Sequence, residues 1–280
     1  MKRIAIPSLV MLVLGFAVAA SLADTPPALK VTELGRGPAI VMVHGIGSGR
    51  LQWMPTARKL IGNHHVVLVD LPGHGDSPML DPFSFNAAAA ALSEVIAHQK
   101  AESTIVVGQG VGGTIALLAV SQHPERQRGL IVIDGATKLP QPIPDQQMKY
   151  FFDYLETNYE AVMKPMFVGQ GRDSAQGAAL WAQASLVPPA SMKPYMHEFV
   201  TADVSKQMKE LKVPLLYIGS EKVWPADKSW ADLAKSIGYD EAVNLDTRRI
   251  AGAGAMIASE QPDTLAMVIH DFSARVVVKK

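Results

Sequence analysis

The chain contains 280 residues, of which 48% are hydrophobic, and its 26 basic side chains balance its 26 acidic ones. This balance provides no basic face for a nucleic-acid partner, and the length suits roughly one large α/β domain. Cysteine is absent, so disulfides, thiolate catalysis and cysteine-ligated zinc are excluded.

The first 23 residues have the pattern of a secretory signal. Lys2 and Arg3 precede an apolar run, and small residues at positions 21 and 23 mark a cleavage site before Asp24. We predict that residues 1–23 are a signal peptide and that the mature chain is periplasmic or secreted, without stable membrane insertion. The alternative is an uncleaved membrane anchor, because the apolar run approaches the ~20 residues that span a bilayer.

Apolar runs and helical patterns alternate from position 29 onward. Continuous apolar runs of this kind, separated by helices, are typical of strands buried on both faces of a parallel sheet. Helices are predicted over 87–98, with Ser84 or Asn86 as the N-cap, and over 111–120. The predicted strands are 39–43, 66–69, 105–107, 130–133 and 215–218.

This alternation stops between positions 139 and 212, where prolines and helical segments rich in Met and aromatic residues follow one another. We predict a helical lid insertion at 140–210 within an α/β core formed by 24–139 and 211–280. Such an insertion would lie over the carboxyl ends of the strands, where open α/β sheets bind ligands. Its Met and aromatic residues indicate either ordinary packing or the lining of an apolar pocket.

Short motifs follow several of the predicted strands, and their order resembles the α/β-hydrolase superfamily, particularly its small lidded esterases and acyl hydrolases. The resemblance runs from about Val31 to Phe272. It implies a mostly parallel sheet with helices on both faces and hydrolysis of a carboxylic ester or similar acyl compound. The motifs are His44-Gly45-Ile46-Gly47, the stretch from Asp70 to Ser77, Gly108-Gln109-Gly110-Val111-Gly112-Gly113, His123 to Arg126, and Gly252 to Ala255 followed by Glu260-Gln261-Pro262.

The catalytic positions implied by this resemblance are empty. A nucleophile elbow reads G-x-S-x-G, but Gly110 occupies the serine position. Ala255 occupies the position of the general-base histidine, so a proton carrier is missing as well. For the acid, Glu221 fits if one residue is deleted and Lys222 falls there otherwise; Glu221 also fits a solvated loop carboxylate. These losses predict a non-hydrolytic pseudoenzyme.

The binding apparatus of the family is still present in the sequence. The N–H groups of Ile46, after His44-Gly45, and of Val111, at a helix start, are the implied oxyanion-hole donors. We therefore predict a small acyl or ester-like ligand with His44, Gly45, Ile46 and Val111 as binding residues, or a role in protein interaction. The pattern predicts neither a cofactor nor a metal site.

Two alternatives remain open at this point. The chain could be an active hydrolase or lyase with displaced residues, using the Ser48 hydroxyl with His44 or His74 as base. It could also be a dinucleotide-binding oxidoreductase, because Gly108-x-Gly110-x-x-Gly113 matches G-x-G-x-x-G and Asp134 follows at the end of the next strand.

Overall fold

The computed structural model describes residues 28–277, so the predicted signal peptide at 1–23 lies outside the described residues. Within this range, seven strands form one sheet in the order β1-β3-β2-β4-β5-β6-β7, and only β1 runs antiparallel to its neighbour. The predicted α/β class with a mostly parallel sheet is confirmed. The strands are β1 (Val31–Gly35), β2 (Ala39–Val43), β3 (His65–Val69), β4 (Ile105–Gln109), β5 (Gly129–Ile133), β6 (Leu215–Ser220) and β7 (Leu245–Ile250).

Helices cover both faces of this sheet. On one face the apolar core includes α2, α3, α8 and α9, and on the other it includes α1, α10 and α11. No helix in the range 28–277 is long and apolar enough to cross a membrane. The helices are α1 (Met54–Leu60), α2 (Phe85–Ala97), α3 (Val111–Gln122), α4 (Asp145–Thr157), α5 (Tyr159–Val168), α6 (Ser174–Ala184), α7 (Pro189–Thr201), α8 (Lys206–Glu210), α9 (Trp230–Ile237), α10 (Ile257–Glu260) and α11 (Pro262–Val277).

The predicted central elements agree with the structure to within a few residues. The residues of β2, β4 and β5 are all buried, because helices cover both of their faces. Helix α2 begins with Ser84 as its N-cap, whose side chain accepts the N–H of Ala87 at 3.0 Å. Of the two cap residues that the sequence leaves open, the structure therefore selects Ser84.

The outer strands were not predicted, and their sequences explain why. In β1, exposed and half-buried residues alternate, and most of β7 is exposed or half-buried. Both lie at the edges of the sheet, where fewer neighbours cover them. An edge strand does not require the continuous apolar run that marks the inner strands.

Helices α4 to α8 lie between β5 and β6, within the segment 140–210 for which the sequence predicts a helical insertion, and we call these helices the insertion. Part of it packs around its own apolar cluster, which includes Met163 and Met192. The insertion is also fastened to the core. The hydroxyl of Tyr195 donates to the Pro72 carbonyl at 2.9 Å, and the carboxylate of Glu198 accepts the N–H of Phe85 at 2.7 Å. Both bonds hold α7 against the core.

Candidate functional site

The turn between β4 and α3 has the shape of a nucleophile elbow. Gly110 adopts φ 54° and ψ −124°, and its N–H donates to the Ile133 carbonyl at 2.8 Å. The flanking glycines are needed for close packing. A Cβ on Gly112 would overlap the His44 carbonyl oxygen, and one on Gly108 would come within 2.5 Å of the Gly112 carbonyl oxygen. Backbone against backbone therefore sets the tightness of this turn.

Gly110 differs from its neighbours because its missing side chain leaves open space. A Cβ built on Gly110 meets no atom within 4 Å. Gly110 lies on the wall of a cavity of about 280 Å³. The position that carries the serine in G-x-S-x-G thus faces an open cavity with no side chain on it.

This cavity lies at the carboxyl ends of the parallel strands, beneath the helical insertion. Loops after β2, β4, β5, β6 and β7 line it from below, and the insertion contributes mostly apolar side chains from the other side. Ligands of open α/β sheets bind at this end of the strands. The apolar side chains from the insertion are Met166, Phe167, Leu180, Met196 and Phe199.

Ala255, at the position of the general base, also lines the cavity. Its carbonyl oxygen accepts a hydrogen bond from the side-chain amide of Gln109, the residue before the elbow glycine. The Glu260 carboxylate accepts the N–H of Gly254 and, at 2.6 Å, the side-chain amide of Gln176 in α6. The loop is therefore held without an imidazole, and no histidine of the range 28–277 lines the cavity.

A chain of hydrogen bonds joins the insertion to this loop through the cavity wall, and we call it the amide chain. Gln183 donates to the Ser48 hydroxyl at 2.9 Å, and Ser48 donates to the Gln52 side-chain oxygen at 2.6 Å. Gln52 then donates to Gln109 at 2.9 Å, which donates to the Ala255 carbonyl. The Ser48 hydroxyl thus donates its hydrogen bond to an amide oxygen rather than to a base.

His44 holds the backbone and does not line the cavity, in contrast to its predicted contact with ligand. Its Nδ1 lies 2.7 Å from the Gly45 carbonyl, and its Nε2 accepts the N–H of Leu71 at 3.0 Å. Burial, followed by the nearby His74, lowers the pKa of His44 to about 3. His44 is therefore a neutral support with both ring nitrogens engaged, and it is not positioned to take a proton from Ser48.

His74 has the same kind of role. Its Nε2 accepts the N–H of Gly47 at 3.0 Å, and its Nδ1 lies 3.1 Å from the Pro72 carbonyl. Burial lowers the pKa of His74 as well. These contacts connect the loop after β2 to the turn after β3, so neither histidine is available as a displaced base.

The implied oxyanion-hole residues lie on the cavity wall. Gly45, Ile46 and Val111 all line it. Among the hydrogen bonds of residues 28–277, none is donated by the N–H of Ile46 or of Val111, the first residue of α3. Both donors are therefore free to bind an acceptor atom, and the N-terminus of α3 favours negative charge.

Glu221 does not face the cavity. It is exposed, and its carboxylate accepts the N–H of Gly252, whereas the neighbouring Lys222 lies at the cavity border. Among residues 28–277, the carboxyl group that lines the cavity belongs to Asp134, directly after β5. The structure therefore favours the loop-carboxylate interpretation of Glu221.

Asp134 is the site residue that the hydrolase pattern missed. Its Oδ1 accepts the N–H of Ser220 at 2.8 Å, and its Oδ2 is enclosed without a partner among the described residues. Burial raises its pKa to about 6, and its backbone has a positive φ of 51°. The available signal was an acidic residue at the carboxyl end of the strand next to β4.

The glycines that suggested a dinucleotide site serve helix packing. A Cβ on Gly113 would lie 2.7 Å from the side chain of Val132, and Gly108 contacts the backbone of α3 equally closely. Asp134, the candidate ribose-binding acid, lines the cavity at the elbow. The elbow therefore accounts for the whole G-x-G-x-x-G pattern.

Comparison with known proteins gives relatives named as esterases. The chain is 39% identical over 105 residues to a pimeloyl-[acyl-carrier protein] methyl ester esterase of Chromobacterium violaceum, covering 38% of this chain and 40% of the relative. Over 199 residues it is 25% identical to the esterase of that name from Neisseria meningitidis serogroup C, covering 66% of this chain and 76% of the relative.

A match over more residues is found with a bifunctional protein. The chain is 25% identical over 247 residues to the biotin biosynthesis bifunctional protein BioHC of Cellvibrio japonicus, covering 84% of this chain. It spans only 47% of the length of that bifunctional protein.

Solved structures share the fold. A hydrolase from Oleispira antarctica superposes with a TM-score of 0.74 at 16% identity, covering 90% of this chain and 96% of that one. A bromoperoxidase from Bacillus anthracis also reaches 0.74, at 14% identity, covering 87% and 94%. The model of the alpha/beta hydrolase family matches residues 40–268. Since that match takes in most of the chain, from β2 into α11, this chain belongs to the alpha/beta hydrolase family.

Proposed function

We propose that this protein is an exported, non-hydrolytic member of the family that binds a small acyl or ester-like molecule in the cavity above Gly110. The observation that carries the proposal is the elbow itself, whose backbone has the family's shape while its central residue has no side chain. Acyl transfer by this fold requires a nucleophile and a base. At the implied positions the chain has Gly110 and Ala255.

Binding is supported by what remains around the elbow. The free N–H groups of Ile46 and Val111 suit a carbonyl or carboxylate oxygen. The cavity of about 280 Å³ is at the lower end of the roughly 300–1,000 Å³ of small-molecule sites, so the ligand is small. The apolar side chains of the insertion suit the hydrocarbon part of an acyl group.

The amide chain explains how the site holds together without a serine–histidine pair. In an active enzyme of this type, a hydrogen bond between those two side chains connects the elbow to the base loop. Here Gln109 makes the connection by donating to the Ala255 carbonyl. Gly110 also adopts its positive φ without the strain that a side chain would add there.

Export rests on the predicted signal peptide at 1–23. The expected mature N-terminus is Asp24. N-terminal sequencing of the protein recovered outside the cytoplasm checks this, and recovery of the full-length chain from the membrane fraction would support the anchor instead.

Back-substitution tests the loss of catalysis. The unaltered chain should not hydrolyse p-nitrophenyl acetate above background. The double variant Gly110→Ser with Ala255→His should gain hydrolysis, by about 100-fold over Gly110→Ser alone, because a general base contributes at least this much. The cavity has room for the new serine, since a Cβ at this position meets no atom within 4 Å.

The control is Gly110→Ala with Ala255→His, which adds the same backbone strain without a nucleophile and should remain inactive. Hydrolysis by the unaltered chain that disappears in Ser48→Ala would establish the displaced-residue alternative. Hydrolysis by the unaltered chain that survives this substitution would overturn the proposed site as a whole.

A further inference from the structure

The polar groups of the cavity divide into satisfied and unsatisfied ones. Ser48, Gln52, Gln109 and Gln183 are joined to one another in the amide chain. The carboxyl group of Asp134, in contrast, accepts the Ser220 N–H on Oδ1, and its Oδ2 has no hydrogen bond within residues 28–277. An enclosed carboxylate oxygen with no partner is costly, so this group has unused capacity to accept a hydrogen bond.

Unused donors and an unused acceptor occur side by side in this cavity. The elbow and Asp134 lie on neighbouring strands, because Gly110 donates to the carbonyl of Ile133, the residue directly before Asp134. The N–H groups of Val111 and Ile46 are free donors on the same wall. A ligand that satisfies both sides needs an acceptor and a donor close together.

Position 255 offers no side-chain donor to this cavity. Ala255 lines the cavity where the family pattern implies an imidazole, which is itself an N–H donor. A nitrogen-bearing ligand group can supply a donor to the carboxylate that lines the same cavity.

We propose that the ligand carries a protonated nitrogen beside its carbonyl group, an inference that rests on the proposed ligand-binding function. The carbonyl oxygen accepts from Val111 and Ile46, and the ammonium group donates to the Asp134 carboxylate. The hydrocarbon part contacts Met166, Phe167 and Met196. The site therefore selects cationic acyl compounds over neutral ones of the same shape, because a charge-assisted hydrogen bond is stronger than a neutral one.

Neighbouring groups act on the Asp134 carboxylate in different directions. Besides burial, Glu260 of α10 raises its pKa through like charge, and Ser220 lowers it through hydrogen bonding. Burial, followed by this carboxylate, in turn raises the pKa of the Tyr217 hydroxyl in β6, which has no hydrogen-bond partner among the described residues. Lys222 is exposed at the cavity border, so water screens it. Since burial raises the pKa of Asp134 to about 6, cation binding strengthens as the pH rises through this value.

A matched pair of probes tests the inference. N-acetylethylenediamine and N-propylacetamide have the same length and carbonyl group, but only the first carries an ammonium group. Binding is measured by NMR titration at about pH 7.5 and about pH 5, and the ammonium stays charged at both because alkylamines titrate at about pH 10. At the higher pH the cationic probe should bind about tenfold more tightly than the neutral one.

Three variants assign this preference to one carboxylate. Asp134→Asn keeps an oxygen for the Ser220 N–H but removes the charge, so the preference should disappear. Glu221→Gln changes an exposed carboxylate outside the cavity and should leave the preference intact. Glu260→Gln should keep the preference and its loss at low pH, which would assign the pH dependence to Asp134.

Equal binding of both probes to the unaltered chain would overturn the cation preference and leave the ligand-binding function standing. A preference that survives in Asp134→Asn would also overturn it. If neither probe binds, both the inference and the proposed function are contradicted.

Discussion

The turn after β3 and the elbow after β4 lie at the same edge of the sheet, on either side of β2, yet they use their residues differently. In the turn, the Asp70 carboxylate accepts the N–H of Arg50 at 2.6 Å, the Arg50 guanidinium, and the N–H of Asp76 at 3.0 Å. A Cβ on Gly75 would overlap that carboxylate. At the elbow, Gly112 is equally confined, but Gly110 faces open space.

This difference separates residues that the fold needs from residues that only the chemistry needs. The side chain of Asp70 and the glycine at 112 take part in contacts that position the backbone. A Cβ at 110 meets no atom within 4 Å, and this position lies on the cavity wall. A change there can remove a reaction while the surrounding structure persists, which is consistent with the proposed loss of hydrolysis.

The strongest test places the same methyl group at two points of the elbow. Gly112→Ala should cost at least about 4 kcal/mol of the free energy of unfolding, or prevent folding, because its Cβ overlaps the His44 carbonyl. Gly110→Ala should cost only about 1–3 kcal/mol, from backbone strain at positive φ. Urea unfolding of both variants measures the contrast, and equal losses would contradict it.

Two buried carboxylates should respond to amide substitution with opposite signs. In Asp70→Asn the new NH₂ group meets only donors, and the Arg50 guanidinium loses a buried partner, so stability should fall by about 3 kcal/mol. In Asp134→Asn the Ser220 N–H keeps its acceptor, and a buried negative charge with an unpartnered oxygen is removed. Stability at neutral pH should then rise, on the order of 2 kcal/mol.

The pH dependence of the stability of Asp134→Asn is a separate test. The folded pKa of Asp134 is raised from 3.8 to about 6, so between these values the folded protein binds more protons than the unfolded chain. Its contribution to stability is therefore full below the unfolded pKa and is lost as the pH rises through 6. The advantage of Asp134→Asn in urea unfolding should grow across this window; a constant difference would contradict the assignment.

The smallest expected effect concerns the amide chain. Gln109→Met keeps the length of the side chain but breaks the bonds to Gln52 and Ala255, which should cost about 1 kcal/mol of stability. Gln170→Met is the control, because Gln170 lines the same cavity while its side chain has no hydrogen bond within residues 28–277. Equal unfolding midpoints for the two variants would show that the amide chain adds nothing.

The sheet interior and the elbow were readable from the sequence for one reason. Strands buried on both faces need continuous apolar runs, and a tight strand-to-helix turn needs glycine, so both leave a local signature. The edge strands β1 and β7 lack such a signature, since part of each faces solvent. The sequence limits the N-cap of α2 to Ser84 or Asn86, and only the fold selects Ser84.

Within the site, the sequence identified positions but not partners. Gly110, Ala255, Ile46 and Val111 all line the cavity. For His44, the sequence could not show that both ring nitrogens are engaged by backbone groups near Gly45 and Leu71, which follow different strands.

By itself, the amino-acid sequence determined the fold family and the absence of a serine and a histidine at their implied positions, because motif spacing and residue identity are properties of the chain alone. Tertiary structure decided that Asp134 and not Glu221 faces the cavity, and that Ser48 is bonded to amides. Those facts depend on which segments, far apart in the sequence, come into contact in the fold. Parallel strands bring their carboxyl ends together at one edge, and side-chain orientation there is set by packing.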